Sequence, residues 1–231
     1  CLLELALASR SPARRRFPLA VAWARLRWEE RRLLPLAPRS QARPPCATPA
    51  PRSSTVAPMT ELFTVEWMGG VAEHHYRNAR PGVDAFDWDA LDPARYHPQL
   101  LATAQGVWTR LALSEYAAIA SFGTVVTALT QARAPLDLIG MTSDFLADEV
   151  RHVELVSRMV MQLGGAAPCA FDPEQLSPRP APELTPFQRA NELTLRVGCI
   201  AEAFAGATVL PILRAVTHPL VHDVYVSILR D

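Results

Sequence analysis

The chain contains no lysine: all 23 of its basic residues are arginine, which we read as the codon bias of a GC-rich genome. Cysteine is scarce as well. The four present (Cys1, Cys46, Cys169 and Cys199) form no Cys-x-x-Cys pair, which excludes a zinc ribbon and a disulfide-stapled scaffold. Net charge is absent, with 23 acids against the 23 arginines, so no overall field favours nucleic acid or an anionic membrane. Long apolar runs are missing too. The longest uncharged stretch, Tyr116 to Ala132, is 17 residues and includes Ser, Thr and Gln. A spanning helix needs about 20 apolar residues, so a soluble, cytoplasmic protein with neither a nucleic-acid nor a membrane partner is expected. What the chain does have is 49% hydrophobic against 20% charged residues, enough to bury a core.

The zero balance conceals a division. Residues 1–58 hold 11 Arg, three acids (Glu4, Glu29, Glu30) and nine Pro, whereas residues 59–231 hold 12 Arg and 20 acids. The two parts therefore carry about +8 and −8. An Arg-rich, acid-poor start suits a targeting peptide, but nine prolines would break an amphipathic targeting helix. Arg14-Arg15-Arg16 would suit an acidic partner. The first Met is Met59, and we expect translation to begin there, with residues 1–58 a disordered or non-native leader. Pro-rich sequence of this kind buries too little surface to offset its ordering entropy. Within it, Leu19–Leu34 is at most a lone helix with little to pack on.

Residues 59–98 read as an irregular arm. From Asp84 to Pro93 acids alternate with large apolar groups and end in turn residues, a pattern that lays Phe86, Trp88 and Leu91 onto a neighbouring surface. His74 and His75 invite a metal reading, but adjacent residues on a helix do not face one site, and a solvated surface pair is preferred.

After Pro98 a helical period sets in. Trp108, Leu111, Glu115, Ile119, Phe122, Val126 and Leu129 step by three and four along one face. A break at Ala132–Pro135 leads to a second stripe of Leu138, Met141, Phe145, Glu149, His152, Val156, Met159 and Leu163, closed by Gly164-Gly165 in the manner of a C-cap. A Pro-rich connection follows. The third stripe runs through Leu184, Gln188, Asn191, Leu195, Gly198, Glu202, Ala205, Val209 and Leu213. Thr217 then suits an N-cap for a fourth, with Val221, Val224 and Ile228 on its face. The spacing predicts helices over 99–131, 135–164, 183–215 and 218–231, the first two antiparallel. No segment alternates as a strand. The fold class expected is all-α, an antiparallel four-helix bundle over 99–231 with one long crossover and an incomplete fourth helix.

Four residues violate the apolar stripes: Glu115, Glu149, His152 and Glu202. A buried carboxylate is costly unless it is paired or holds a metal. Glu149 and His152, at i and i+3, share a face and can bind one ion together. Glu115 lies roughly 17 residues before the first turn and Glu149 roughly 14 after it, so at about 1.5 Å per residue their heights differ by only about 5 Å. The level matching Glu202 on the fourth helix falls one position past Asp231, where the pattern expects a further acidic ligand.

These residues resemble a known family. Asp148-Glu149-Val150-Arg151-His152 looks like the D-E-x-R-H motif of ferritin-like di-iron carboxylate proteins: the radical-generating subunit of ribonucleotide reductase, bacterial multicomponent monooxygenases and, more loosely, rubrerythrins. The family takes Glu from helix A, Glu-x-x-His from B, Glu from C and a second Glu-x-x-His from D. Glu115, Glu149, His152 and Glu202 match the first three contributions, and Asp231 matches the Asp that opens the last. The resemblance implies two iron ions in the full-length protein (manganese also suits the donor set), with Glu115 terminal, Glu149 bridging and His152 on the first ion. Glu202 would belong to the second ion or bridge both. Asp148 and Asp231 would each hold the ligand His of the opposite motif, with a hydrogen bond expected between Asp231 and His152. Arg151 is read as a partner for acids. A fragment lacking the second motif would bind metal weakly or hold one ion.

The function implied is an O2-dependent di-iron oxidoreductase, with O2 and an unidentified small-molecule substrate or electron donor as partners and a homodimer allowed for. Ferrous iron oxidation and storage is the alternative, and a metal-free helical interaction module with a relic site the third reading. Tyr116 and Tyr225 are candidates for redox tyrosines, though a hydroxyl at the bundle edge is the plainer role. Cys199, three residues before Glu202, is read as a small buried apolar group.

Overall fold

A computed structural model describes residues 63–231. The leader and its helix over Leu19–Leu34 lie outside the described residues. Among those described, all regular structure is helical and no strand occurs.

The first helix, α1 (Gly70–Ala79), has no counterpart among the sequence expectations. It starts at a pair of glycines, both with positive φ where Gly69 and Gly70 turn the chain, and it buries no residue, so it carries no apolar period to read. Three short 3-10 turns follow, at Val83–Ala85, Trp88–Ala90 and Pro93–Arg95.

Helix α2 (Pro98–Gln131) opens with Pro98 in its first turn, where a missing N–H costs nothing, and the His97 imidazole accepts from the Gln99 N–H at 3.3 Å. Helix α3 spans Leu136–Gln162, with Pro135 just ahead of it. Thr185 and Gln188 form a reciprocal capping box at the start of α4 (Pro186–Thr194), and Pro186 again fills the first turn. The chain then widens into π-helix over Leu195–Ala201 before α5 (Glu202–Ala215). Helix α6 (Pro219–Arg230) follows His218, one residue later than the Thr217 cap expected from sequence.

Helices α2 and α3 end in the same backbone device. After α2, the Arg133 N–H donates to the Thr130 carbonyl and the Ala134 N–H to the Leu129 carbonyl, both at 3.0 Å. After α3, Gly164 donates to Met161 and Gly165 to Val160, again at 3.0 Å. This is the Schellman pattern, and it needs a left-handed residue at its pivot. Gly164 supplies φ 92°, but the first pivot is Arg133 at φ 55°, where a Cβ is strained.

The apolar core is divided. One cluster joins Trp108 and Ala112 of α2, Leu155, Val156, Met159 and Val160 of α3, Val209 of α5, and Leu220, Val224 and Tyr225 of α6. The arm completes it: Val83 and Leu91 are buried there, with Phe86 and Trp88 packed alongside. The other cluster joins Phe122, Val125 and Leu129 of α2, Ala190 and Leu193 of α4 and Val197 of the π segment, with Leu138, Phe145 and Leu146 of α3 against it. Early α2 thus meets late α3 and late α2 meets early α3, so the pair is antiparallel. Glu115, Glu149, His152 and Glu202 all fall between the two clusters in sequence.

Polar contacts fasten the arm to α3. Tyr76 Oη donates to Glu154 Oε2 at 2.9 Å, Arg158 reaches both Glu154 and Asp84, and Arg80 pairs with Asp148 at 3.3 Å. Glu154 is buried, and this net of donors is what permits a carboxylate there. The same contacts push the Tyr76 hydroxyl far above its usual pKa, burial first and the neighbouring Glu154 charge second.

By length and composition, Pro98–Gln131 and Pro186–Ala215 each suffice to cross a membrane. Run length had suggested otherwise, because single charged residues such as Glu115 and Glu202 interrupt stretches whose average is strongly apolar. Core helices of water-soluble proteins pass the same test, and α2 carries Glu115 into the polar cluster described below.

The two pivots give a paired prediction. Arg133→Gly should stabilise the protein by about 1 kcal/mol and Gly164→Ala should destabilise it by about as much. Urea midpoints of the two variants against the parent chain check both signs.

Candidate metal centre

Glu115 comes from the middle of α2, and Glu149 and His152 come from adjacent turns of α3. Each offers one ligand atom, and these atoms lie within 4.8 Å of one another. His152 Nδ1 is 3.5 Å from Glu115 Oε2 and 3.6 Å from Glu149 Oε2. These are separations of charge pairs and exceed a good hydrogen bond. Glu149 and His152 are 7% and 6% exposed, and Glu149 Oε2 has no hydrogen-bond donor among the described residues. A buried carboxylate oxygen without a donor, next to a second carboxylate and an imidazole nitrogen, is a poor structural hydrogen-bond network. It is a good donor set for a cation.

The other imidazole nitrogen faces the chain's last residue. His152 Nε2 lies 3.5 Å from Asp231 Oδ2, so the approach expected from sequence is present at a longer distance than the hydrogen bond foreseen. The reason is competition: the same oxygen receives the Arg151 guanidinium at 2.7 Å, and Arg151 also donates to Ser227 Oγ at 2.7 Å. Arg151 is therefore the partner for an acid that the sequence reading assigned it to be. The trio's electrostatics follow from burial and crowding. Burial alone would lower the His152 pKa, but Asp231, Glu115 and Glu149 outweigh it and push it up to about 11. For Glu149, burial raises the pKa to about 7, with Glu115 adding and His152 opposing. Asp231 is held below the usual carboxylate range, because His152 and Arg151 overcome the burial that would raise it.

The remaining candidates sit differently. Glu202, the first residue of α5, lies outside the close trio and is exposed as a residue. Its carboxyl is nonetheless crowded enough by protein for desolvation to raise its pKa, helped by the charge of Glu115 and opposed by His152. It feels the trio without touching it. The π-helical turn ends immediately before it, and such turns, uncommon elsewhere, are frequent at functional sites. Asp148 pairs with Arg80 of the arm at 3.3 Å. Tyr116 is half-exposed with its ring edge against Phe63, while Tyr225 is buried and stacked on Trp108 at 5.0 Å between centroids. Tyr225 is thus a core residue and not an edge hydroxyl, and burial raises its pKa. Cys199 is a half-buried free thiol, and His74 and His75 are exposed.

Sequence reasoning missed Tyr76, Arg80 and Arg158, which brace α3 near the trio. Only Arg158 carried a signal, its i,i+4 spacing from Glu154. Comparison of the chain with protein-family models, curated proteins and solved structures finds no match.

Both raised pKa values act on stability with one sign. Glu149 keeps its proton in the fold, so its contribution is full below about pH 4.5 and is lost as pH rises through about 7; that of His152 is full below about 6.5 and is lost toward about 11. Between pH 5 and 7 the metal-free protein should therefore lose stability, mainly through Glu149. Glu149→Gln should flatten that slope, as read from urea midpoints at the two pH values.

Proposed function

We propose that this protein is a metal-dependent carboxylate–histidine protein, with iron at Glu115, Glu149 and His152. In this reading α2, α3, the α4–α5 pair and α6 constitute a ferritin-like four-helix bundle, crossed over by the Pro-rich connection between α3 and α4. The protein acts as an O2-dependent oxidoreductase on a small-molecule substrate. The observation that carries the proposal is the convergence of three metal-ligating groups from two helices, between two apolar clusters, with a buried Glu149 oxygen lacking a hydrogen-bond donor.

The donor set fits a hard or borderline cation. Two carboxylates and one imidazole favour Fe(II) or Mn(II) over soft-metal chemistry; a second ion, as the family resemblance implies, would need Glu202 to turn toward the trio whose charge it already feels. When bound, Fe(II) supplies the electrons for reducing O2. The protein's own groups prepare for binding. His152 must release the proton at Nδ1 to become a ligand, and the Asp231 carboxylate beside Nε2 favours the tautomer that keeps the other proton there. Arg151 fixes that Asp231 oxygen in turn. Glu149, protonated near neutrality when empty of a cation, gives up its proton as well. The core residues on either side limit how much of the trio meets water.

Binding is therefore proton-coupled. Anaerobic calorimetric titration with Fe(II), Mn(II) and Zn(II) should show an affinity that falls as pH is lowered from 7.5 to 6. His152→Ala and Glu149→Gln should each weaken binding by about 10-fold or more, while His75→Ala leaves it unchanged. Admitting O2 to the iron-loaded protein then separates the functional readings. Repeated O2 consumption that needs a reductant supports the oxidoreductase, and accumulation of oxidised iron beyond two per chain supports storage. No metal binding at any pH would overturn the proposal and leave a helical interaction module.

A further inference from the structure

A second concave feature lies on the far side of α3. Val65, Trp67 and Trp88 of the arm and Arg158, Met161 and Gln162 of α3 line an open surface cleft of about 290 Å³. Met161 is nine residues beyond His152, about half a turn round the helix axis, so the cleft faces away from the metal centre and owes nothing to it. Its volume is at the small end for ligand sites, which run from about 300 Å³ upward. It admits one or two fused rings and excludes a helix, about 10 Å across. Two large apolar groups at its mouth, Trp67 at 37% and Met161 at 46%, remain exposed.

Charge narrows the occupant. Arg158 is matched by Glu154 at 2.8 Å and Asp84 at 2.7 Å, and Arg77 by Glu73 at 2.7 Å and Asp84 at 2.6 Å. Among the described residues an anion entering the cleft finds no uncommitted cation. A cation finds no uncommitted carboxylate among the same residues, since Glu154, Asp84 and Glu73 are held by those two guanidiniums. The polar groups left over are neutral. The Gln162 carboxamide and the Trp67 indole N–H make no hydrogen bond to any described residue, whereas the Trp88 N–H is committed to the Val83 carbonyl at 2.9 Å. Gln162 offers both a donor and an acceptor, and Trp67 a donor.

We propose that this cleft binds a small uncharged aromatic molecule carrying a carbonyl or amide group, its ring against Met161, Val65 and the indole edges and its polar group on Gln162 and the Trp67 N–H. The site is independent of the metal reading. Titrating the full chain with 2-naphthamide, followed through the indole N–H signals of ¹⁵N-labelled protein, tests it. The Trp67 and Trp88 signals should shift and saturate with a Kd on the order of 0.1–1 mM, while that of the buried Trp108 stays in place. The anionic analogue 2-naphthoate should bind at least 10-fold more weakly. Gln162→Ala should weaken 2-naphthamide about 5- to 10-fold. Val65→Trp, which fills the cleft, should abolish binding, with an unmoved Trp108 signal showing that the fold is kept. Absence of Trp67 and Trp88 shifts up to about 5 mM, equal binding of 2-naphthoate, or retained binding in folded Val65→Trp would each overturn the proposal.

Discussion

Two carboxylates and an imidazole cannot be buried side by side without compensating charge, and that constraint organises the described part of the molecule. Desolvating one ionised carboxylate costs several kcal/mol, so apolar packing cannot continue through Glu115, Glu149 and His152. It stops on either side of them. The cluster built on Trp108, Leu155 and Val224 and the cluster built on Phe122, Leu129 and Leu193 share the long helices α2 and α3. They press from both ends on a polar layer that neither can absorb. Protons compensate in the metal-free protein, which is why both Glu149 and His152 hold theirs so firmly.

Helix α3 bears most of this load. Its inner face supplies Leu155, Val156 and Met159 to the core and Glu149 and His152 to the polar layer. It also carries Asp148, Glu154 and Arg158, which Arg80, Tyr76 and Asp84 of the arm engage. The pairing is ordered by partner: Asp148 and Glu154 answer to the arm, and Arg151 to α6 through Ser227 and Asp231. A rotation of α3 about its axis would break contacts in both directions at once.

Much of this was legible in the residues, and the failures have identifiable causes. The boundaries of α2, α3 and α6 follow from prolines in first turns and from Gly164-Gly165, because these act locally and need no knowledge of the fold. The convergence of Glu115 with Glu149 and His152 was readable because α2 and α3 are regular and joined by a short turn, so counting residues measures height. The stripe on the third helix was read less well. Leu195 was placed on its buried face and is exposed, while Leu193 and Val197 are buried; beyond Glu202 the reading recovers at Val209. The π-helical turn between Leu195 and Ala201 explains the slip. It adds residues to a turn, so a 3.6-residue period carried through it points to a different face on each side. Nothing in Leu-Arg-Val-Gly-Cys-Ile-Ala marks such a turn. Helix α1 and its latch were illegible for another reason: a helix held by ion pairs and one tyrosine hydroxyl leaves no apolar rhythm.

The division of the core also has a temporal side. Residues of α2 and α3 meet across a turn of a few residues, whereas the cluster that includes the arm must join Leu91 to Leu220, roughly 130 positions further along the chain. Closing a long loop carries a larger entropic cost and slows assembly, while neighbouring helices pair early. Glu115, Glu149 and His152 all belong to the early-pairing hairpin, and Asp231 and Glu202 to the late arrivals. A cation able to bind Glu115, Glu149 and His152 would thus meet all three on a half-built molecule, before the cluster that includes the arm and α6 has closed.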